Sequence, residues 1–467
     1  MESAVASFKS ERRKQGKALR EKCPRTAQAE CKPRSKSQDI VKWLEESDRD
    51  RIAGLIPLKY QRMSVSPFTF FRGAAIVQAR DLANSPVSGI TVQACGDCHL
   101  ANFGGFASPE QKLVFDINDF DETFPGAWEW DLKRLGASLI LAARDRNFSK
   151  TVADEVVRAA AASYRERMSE FAEMEVIDRW YAQVSIDELK VYFRKDPAAL
   201  ALLSKQQKEA QSQISEAVVP KYTAVVDGRH QIKDNVPVLY HFQNQKNFER
   251  ETRNNMAQYE KSLPADRLAL FERYLFHDAA VKVVGVGSVG TRCYLGLFSS
   301  EGDEPLFLQI KEARRSVLES PRGKSRFANQ GFRVVTGQRL MQAASDIFLG
   351  WYRSPHGHDY YVRQFRDMKV SVEIEDFRPG NLVGYAKACG WTLARAHAKA
   401  GDAPMIAGYL GSTSHCDDAL VQYARSYADQ AERDFATFQG SHSFRTPING
   451  FEGGCGSGVR AIRCSLS

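Results

Sequence analysis

The stretch Cys95-Gly96-Asp97-Cys98-His99-Leu100-Ala101-Asn102-Phe103-Gly104 concentrates side chains that can do chemistry. A second run, Val114-Phe115-Asp116-Ile117-Asn118-Asp119-Phe120-Asp121-Glu122, follows it closely. Burying an unpaired carboxylate is costly, so acids set between Phe and Ile need a partner. Mg²⁺ is one such partner, since it takes oxygen ligands and usually keeps some water. Asp97 and Asn102 are five residues apart on a loop leaving an expected strand, and Asp119 follows the next strand. Phosphoryl transfer needs this layout: one carboxylate orients a hydroxyl, while an Asn and an Asp hold metal on the phosphates. Any one of the three alone would read as a turn residue capping local backbone. Together they favour a site.

Other chemistries fit the same run less well. Cys95-Gly96-Asp97-Cys98-His99 matches the haem-attachment pattern C-x-x-C-H, but the N-terminus lacks the apolar core of an export signal. As a redox dithiol it is disfavoured, because Asp97 between the sulfurs opposes thiolate formation. Zinc on Cys95, Cys98 and His99 lacks an evident second ligand pair.

A glycine-rich segment, Val283-Val284-Gly285-Val286-Gly287-Ser288-Val289-Gly290-Thr291-Arg292-Cys293-Tyr294, is the second feature. In a dinucleotide fold the last glycine opens a helix. Here Thr291 to Phe298 is β-rich, so the loop joins two strands. Such a hairpin covers nucleotide phosphates with backbone N–H groups that no side chain obstructs. The next strand, Leu306 to Ile310, leads into Lys311, where a lysine reaches α- and β-phosphates. The plainer alternative is a glycine hairpin with a surface lysine.

These segments need elements to hold them. Apolar periodicity predicts helices over Phe68–Leu82, Trp128–Ala143, Thr151–Phe171, Arg267–His277, Arg326–Ala344, Gly384–Ala400 and Ala419–Phe438, with charged helix over 186–217. Strands are expected at Ile90–Ala94, Lys112–Ile117, Val236–Phe242, within Val281–Phe298, and at Pro305–Ile310 and Tyr360–Phe365. The fold class is α+β. The expected divisions are a basic mobile arm or loosely packed helix at 1–40, a mainly helical region at 41–280 carrying the Asp97 and Asp119 motifs, a sheet-rich region at 281–370, C-terminal helices at 371–439 and an irregular tail at 440–467.

Charge argues against nucleic acid as the partner. The net charge of +8 lies at the two ends: +6 over residues 1–40 and +2 over residues 440–467, which leaves residues 41–439 neutral. No apolar run approaches the roughly 18 residues of a membrane helix. Nine cysteines at scattered spacings suit free thiols in a reducing cytoplasm.

Several motifs together resemble the bacterial domain-of-unknown-function 2252 family: Arg62-Met63 with Ser66-Pro67-Phe68, Phe71-Arg72-Gly73, the Cys95–Gly104 run, Asp119-Phe120-Asp121-Glu122, Trp128-Glu129-Trp130-Asp131, the Val284–Cys293 run, Arg339 to Asp346, and Val362-Arg363-Gln364. The resemblance runs from about Gly16 to about Asp434. These motifs in turn resemble the protein-kinase-like superfamily, on its aminoglycoside and choline kinase side, whose catalytic loop reads His-Gly-Asp-x-His-x-x-Asn. Gly96, Asp97, His99 and Asn102 match, and Cys95 replaces the first His. The likeness implies a two-lobed kinase-like fold binding ATP and Mg²⁺. Asp97 would be the catalytic base, Asn102 and Asp119 metal ligands assisted by Asp121, and Lys311 with Gly285, Gly287, Ser288 and Gly290 the nucleotide site. His99 would support the loop, and Asp131 would match the buried Asp that braces it. The motif order is inverted relative to ordinary kinases, which implies a circular permutation. Leu393-Ala394-Arg395-Ala396-His397 resembles the helix that normally precedes the catalytic loop. The helix expected at Arg326–Ala344 has no Glu to pair with Lys311; Glu312 and Glu319 precede it, and Gln338 is neutral.

Three functions follow as expectations. The first is an ATP- and Mg²⁺-dependent phosphotransferase acting on a small-molecule hydroxyl. The second is a nucleotide-binding pseudokinase serving as a binding or regulatory module. The third is a metal-dependent hydrolase built on Asp97, His99, Asp116 and Asp119, which leaves the glycine loop unexplained. A cytoplasmic location is expected, with no membrane or specific nucleic-acid partner.

Overall fold

A computed structural model describes residues 2–35, 38–194, 197–211, 215–226, 229–242, 245–302, 304–365, 370–371 and 373–441. It mixes helix and sheet, as an α+β chain should. Four long helices make the larger core: Trp128–Asp145, Lys150–Glu173, Pro379–Ala400 and His415–Gly440. Trp128–Asp145 is buried on nearly every face, which its run of Leu, Ile and Ala favours. Gly390 makes the closest approach; a Cβ there would lie 2.1 Å from the Ala160 carbonyl oxygen on the neighbouring helix. Trp128 stacks on Tyr164 in this core, with ring centroids 5.7 Å apart.

The second core lies on a six-stranded antiparallel sheet. Its central strands are Tyr274–Lys282, Cys293–Ser300, Pro305–Glu312 and Asp359–Gln364. The helices Gln245–Glu260 and Ala265–Phe271 bring Tyr259 and Phe271 onto this face, against Phe298, Leu308 and Phe348. The glycine loop joins the first two of the named strands, and Lys311 lies near the end of the third, opposite Cys293 and Tyr361. The helix Gln330–Met341 intervenes before the last two strands, Gly350–Arg353 and Asp359–Gln364.

Several expected elements are redrawn. The helix over Arg267–His277 stops at Phe271, and Tyr274 begins a strand. Pairing with Cys293–Ser300, including a bulge at Phe276/Asp278, outweighs the local helical pattern. Phe68–Leu82 is two helices, Pro67–Gly73 and Ala75–Leu82, separated at Ala74. Ser66 caps the first with a full capping box. The strand expected at Val236–Phe242 contracts to Leu239–Tyr240.

The basic N-terminal segment is a helix, Glu2–Lys22, and it is docked. A Cβ on Gly16 would stand 2.0 Å from the Met405 carbonyl, and one on Gly408 2.2 Å from that of Arg13. Lys9 and Arg12 pair with Glu175 and Asp402, so part of the local positive charge is neutralised. The expected irregular tail lies outside the described residues from residue 442 onward; Gly440 ends the last helix. Among the described residues no helix is long and apolar enough to cross a membrane, and the seven cysteines are free thiols.

Candidate functional site

A cleft of about 580 Å³ opens between the sheet and the helical core. Asp97, His99, Asn102, Asp119 and Asp121 line it together with Gly285, Gly287 and Ser288. Two segments almost 200 residues apart therefore face one space.

The Asp97 loop is held from beneath. Asp131, in the first turn of Trp128–Asp145, accepts N–H bonds from Cys95 at 2.6 Å and Gly96 at 3.0 Å. Its Oδ2 also contacts His397 Nε2 at 3.1 Å, and His397 Nδ1 meets Tyr164 Oη at 2.8 Å. Gly96 takes φ +84, and a Cβ there would fall 2.2 Å from the Glu122 carbonyl. Arg134 Nε donates to Asp97 Oδ1 at 2.8 Å. Asn102 Nδ2 closes the loop by donating to the Asp97 carbonyl at 2.7 Å. Burial pushes the Asp97 carboxyl up, against the opposing field of Arg134. His99 Nε2 lies 3.9 Å from Asp97 Oδ2, while its Nδ1 is buried without a hydrogen-bond partner. Burial, reinforced by Arg72 and Arg134, drives the imidazole well below its usual range, so His99 is neutral.

Lys311 finds its acids outside the neighbouring helix. Its Nζ lies 2.6 Å from Asp121 Oδ2 and 3.5 Å from Asp119 Oδ2. Burial alone would lower its ammonium, yet Asp119 and Asp121 hold it well above the usual range. Asp121 is fully engaged: Oδ1 accepts from Tyr361 Oη at 2.6 Å, and Ser288 Oγ reaches Oδ2 at 3.4 Å. Asp119 is 31% exposed, and its Oδ1 accepts from the Asp121 N–H. Gln338 donates to Gln342 and takes no part in holding the lysine. The helix Gln330–Met341 contributes Arg333 instead, which donates to the carbonyls of Asp121, Thr123 and Arg314 and sets the path of the Asp119–Glu122 segment.

The glycine loop is pinned along its length. Arg62 Nη1 donates to the Gly285 carbonyl at 2.6 Å, Arg51 Nη1 to that of Val289 at 2.6 Å, and Ile52 N to that of Gly290 at 2.8 Å. Gly285 and Gly290 take positive φ, and a Cβ on Gly287 would meet the Arg72 carbonyl at 3.1 Å. Gly290 packs against Arg51 at the base of the loop, while the other two glycines face the cleft.

Asp116 belongs elsewhere. Arg395 donates to its Oδ1 at 2.5 Å, and Ala343 N to its Oδ2 at 2.7 Å, in a pair whose side chains are each 1% exposed. It therefore leaves the set of cleft acids. Glu122, which spacing did not single out, does line the cleft, and burial raises its carboxyl to about 7. Arg72 and Arg134 were also missed as site residues. Arg72 was visible only as a family motif, and Arg134 carried no signal beyond its place on a strongly apolar helix.

The donor set suits Mg²⁺ in a limited way. Asn102 and Asp119 line the cleft, and both carry side-chain oxygens. Among the described residues no group of three or more His, Cys, Asp and Glu side chains is arranged to hold a metal ion. Such a sparse set fits an ion that arrives with phosphates and keeps its water, since Mg²⁺ is bound in that way by one or two carboxylates.

A family model described as "Uncharacterized protein conserved in bacteria (DUF2252)" matches residues 51–441. No curated protein and no solved structure matches the chain. The matched span contains every cleft residue from Arg51 to Lys324 and covers most of the sequence, so the chain belongs to this DUF2252 family of bacterial proteins.

Proposed function

We propose that the protein is an ATP- and Mg²⁺-dependent phosphotransferase of kinase-like type, acting on the hydroxyl of a small molecule. The observation that carries this reading is the contact of buried Lys311 with Asp121, 190 positions away, where Asp121 lines a cleft shared by the glycine loop and Asp97. The order of strand, glycine loop, strand, lysine strand, helix and two further strands supports a kinase-like sheet lobe. With the Asp97 loop preceding it in the chain, the fold is read as two-lobed and circularly permuted.

The chemistry would be mostly positioning and charge neutralisation. Lys311, pre-aimed by Asp121 and Asp119, would meet the nucleotide phosphates beneath the glycine loop. Asn102 and Asp119 would hold Mg²⁺, which when bound supplies neutralisation of phosphate charge. Asp97 would orient the acceptor hydroxyl and take its proton. Its raised pKa makes it a better base than an ordinary aspartate, and Arg134 fixes its direction. Asp131 acts as a positioning residue through the backbone of Cys95 and Gly96.

The test is ligand-dependent stabilisation followed by turnover. Mg-ATP is expected to raise the Tm of the wild type and of Asp97→Asn but not of Lys311→Ala. Phosphate transfer or release is expected only from the wild type. Absence of any Mg-ATP shift in the wild type would sink the proposal.

One observation favours the pseudokinase alternative. Arg134 already occupies Asp97 Oδ1 at 2.7 Å, so an acceptor hydroxyl would have to share that oxygen or use Oδ2. On that reading Mg-ATP stabilises the protein, and Asp97→Asn leaves phosphate release at the wild-type level.

A further inference from the structure

Arg72 differs from the other cations of the cleft, of which Arg315 and Lys324 are exposed to solvent. Arg51 pairs with Asp48, Arg80 with Glu46, and Arg314 donates to the Ser47 carbonyl. Arg72 has no ion pair among the described residues, and its Nε is buried without a hydrogen-bond partner. A buried, unsatisfied donor on a partly buried cation is costly, and native proteins keep such groups mainly where a ligand or water supplies the acceptor.

Its location narrows the ligand. Arg72 closes the helix Pro67–Gly73, and its guanidinium rests over the Phe68 ring, 5.8 Å from the centroid. The Arg72 carbonyl faces Gly287, so the residue abuts the glycine loop. Asp97, Glu373 and Asp119 are its strongest acidic neighbours, and Asp97 and Asp119 line the same cleft. Arg72, the glycine loop and Asp97 thus line one cleft. A planar guanidinium can meet two phosphate oxygens at once, which a lysine ammonium does not.

We infer that Arg72 binds a phosphate oxyanion in the cleft it shares with the glycine loop and Asp97. Two sources share this chemistry: the terminal phosphate of a nucleotide, or a phosphate carried by the acceptor. The nucleotide source rests on the proposed function; the other does not.

The experiment measures binding of Mg-ATP, Mg-ADP and inorganic phosphate to the full chain, by calorimetry and Tm shift. The proteins are wild type, Arg72→Met and Arg72→Lys. Arg72→Met keeps an apolar stem over Phe68, and Arg72→Lys keeps the charge but loses the fork, so folding and recognition are read separately. If the terminal phosphate is the ligand, Arg72→Met weakens Mg-ATP roughly tenfold to a hundredfold, the range of one lost charge-assisted contact, and leaves Mg-ADP unchanged. If an acceptor phosphate is the ligand, the variant binds both nucleotides as the wild type does and loses its response to inorganic phosphate. Arg72-dependent phosphate binding without any Mg-ATP binding would keep this inference and overturn the proposed function. Wild-type affinity of Arg72→Met for all three probes would overturn the inference and leave the proposed function standing.

Discussion

Arg395 and Lys311 are both buried cations held by acids far away in the sequence. Arg395 and Asp116 are each 1% exposed. Lys311 is 2% exposed, but its acids Asp119 and Asp121 are 31% and 25% exposed and open on the cleft. The first pair ties the helix Pro379–Ala400 to the strand Leu113–Ile117. The second joins the sheet to the segment after that strand and leaves carboxylate surface for something else to meet. Similar charges serve as an internal rivet in one place and as a poised site in the other. What separates them is access of solvent and ligand to the acid side of the pair.

Breaking the sealed pair should have the largest effect. Arg395→Ala strands Asp116 in the core and is expected to cost about 3–5 kcal/mol, read from the midpoint of urea unfolding. Breaking the open pair should cost less stability and more binding. Lys311→Met leaves Asp119 and Asp121 in contact with solvent, so a loss of under about 2 kcal/mol is expected, with the Mg-ATP Tm shift abolished. Equal destabilisation by the two substitutions would erase the distinction between them.

pH sharpens the contrast. Glu122 titrates near 7 in the folded cleft against an ordinary value of 4.5. The folded state therefore binds a proton more tightly than the unfolded state, and stability falls as pH rises from about 4.5 to 7. Glu122→Gln should remove that fall and gain relative to wild type toward pH 8, with about 1.4 kcal/mol per pKa unit as an upper bound in an open cleft. Parallel Tm–pH curves for the two proteins would count against it. The smallest effect is expected from Gly287→Ala. Its Cβ would meet the Arg72 carbonyl at 3.1 Å, which the loop can relieve by a small shift. Unfolding should change by less than about 1 kcal/mol while Mg-ATP affinity falls a fewfold, measured by titration.

Much of the helical framework was legible in advance. Trp128–Asp145 and His415–Gly440 follow long, regular apolar patterns, and tertiary packing reinforces them. The strand at Tyr274 was not legible, because a single hydrophobic stretch does not reveal which strand will pair with it. At the site, Asp97, Asn102, Asp119 and the cleft-facing glycines could be singled out because their types and local spacing are unusual. Arg134, Arg333 and Glu122 could not. An arginine inside a helix carries no mark of what it will touch, and a glutamate in an acidic run carries no mark of burial.

Sequence alone determined the family, the α+β class and the chemical identity of the two facing segments. These follow from local features: motif spacing, periodicity and residue type. Tertiary structure decided that the segments share a cleft, that Lys311 is anchored by Asp121, and that Asp116 is sealed away while Asp119 is not. Those outcomes depend on contacts across about 190 positions of chain and on solvent access, and neither is encoded by neighbouring residues.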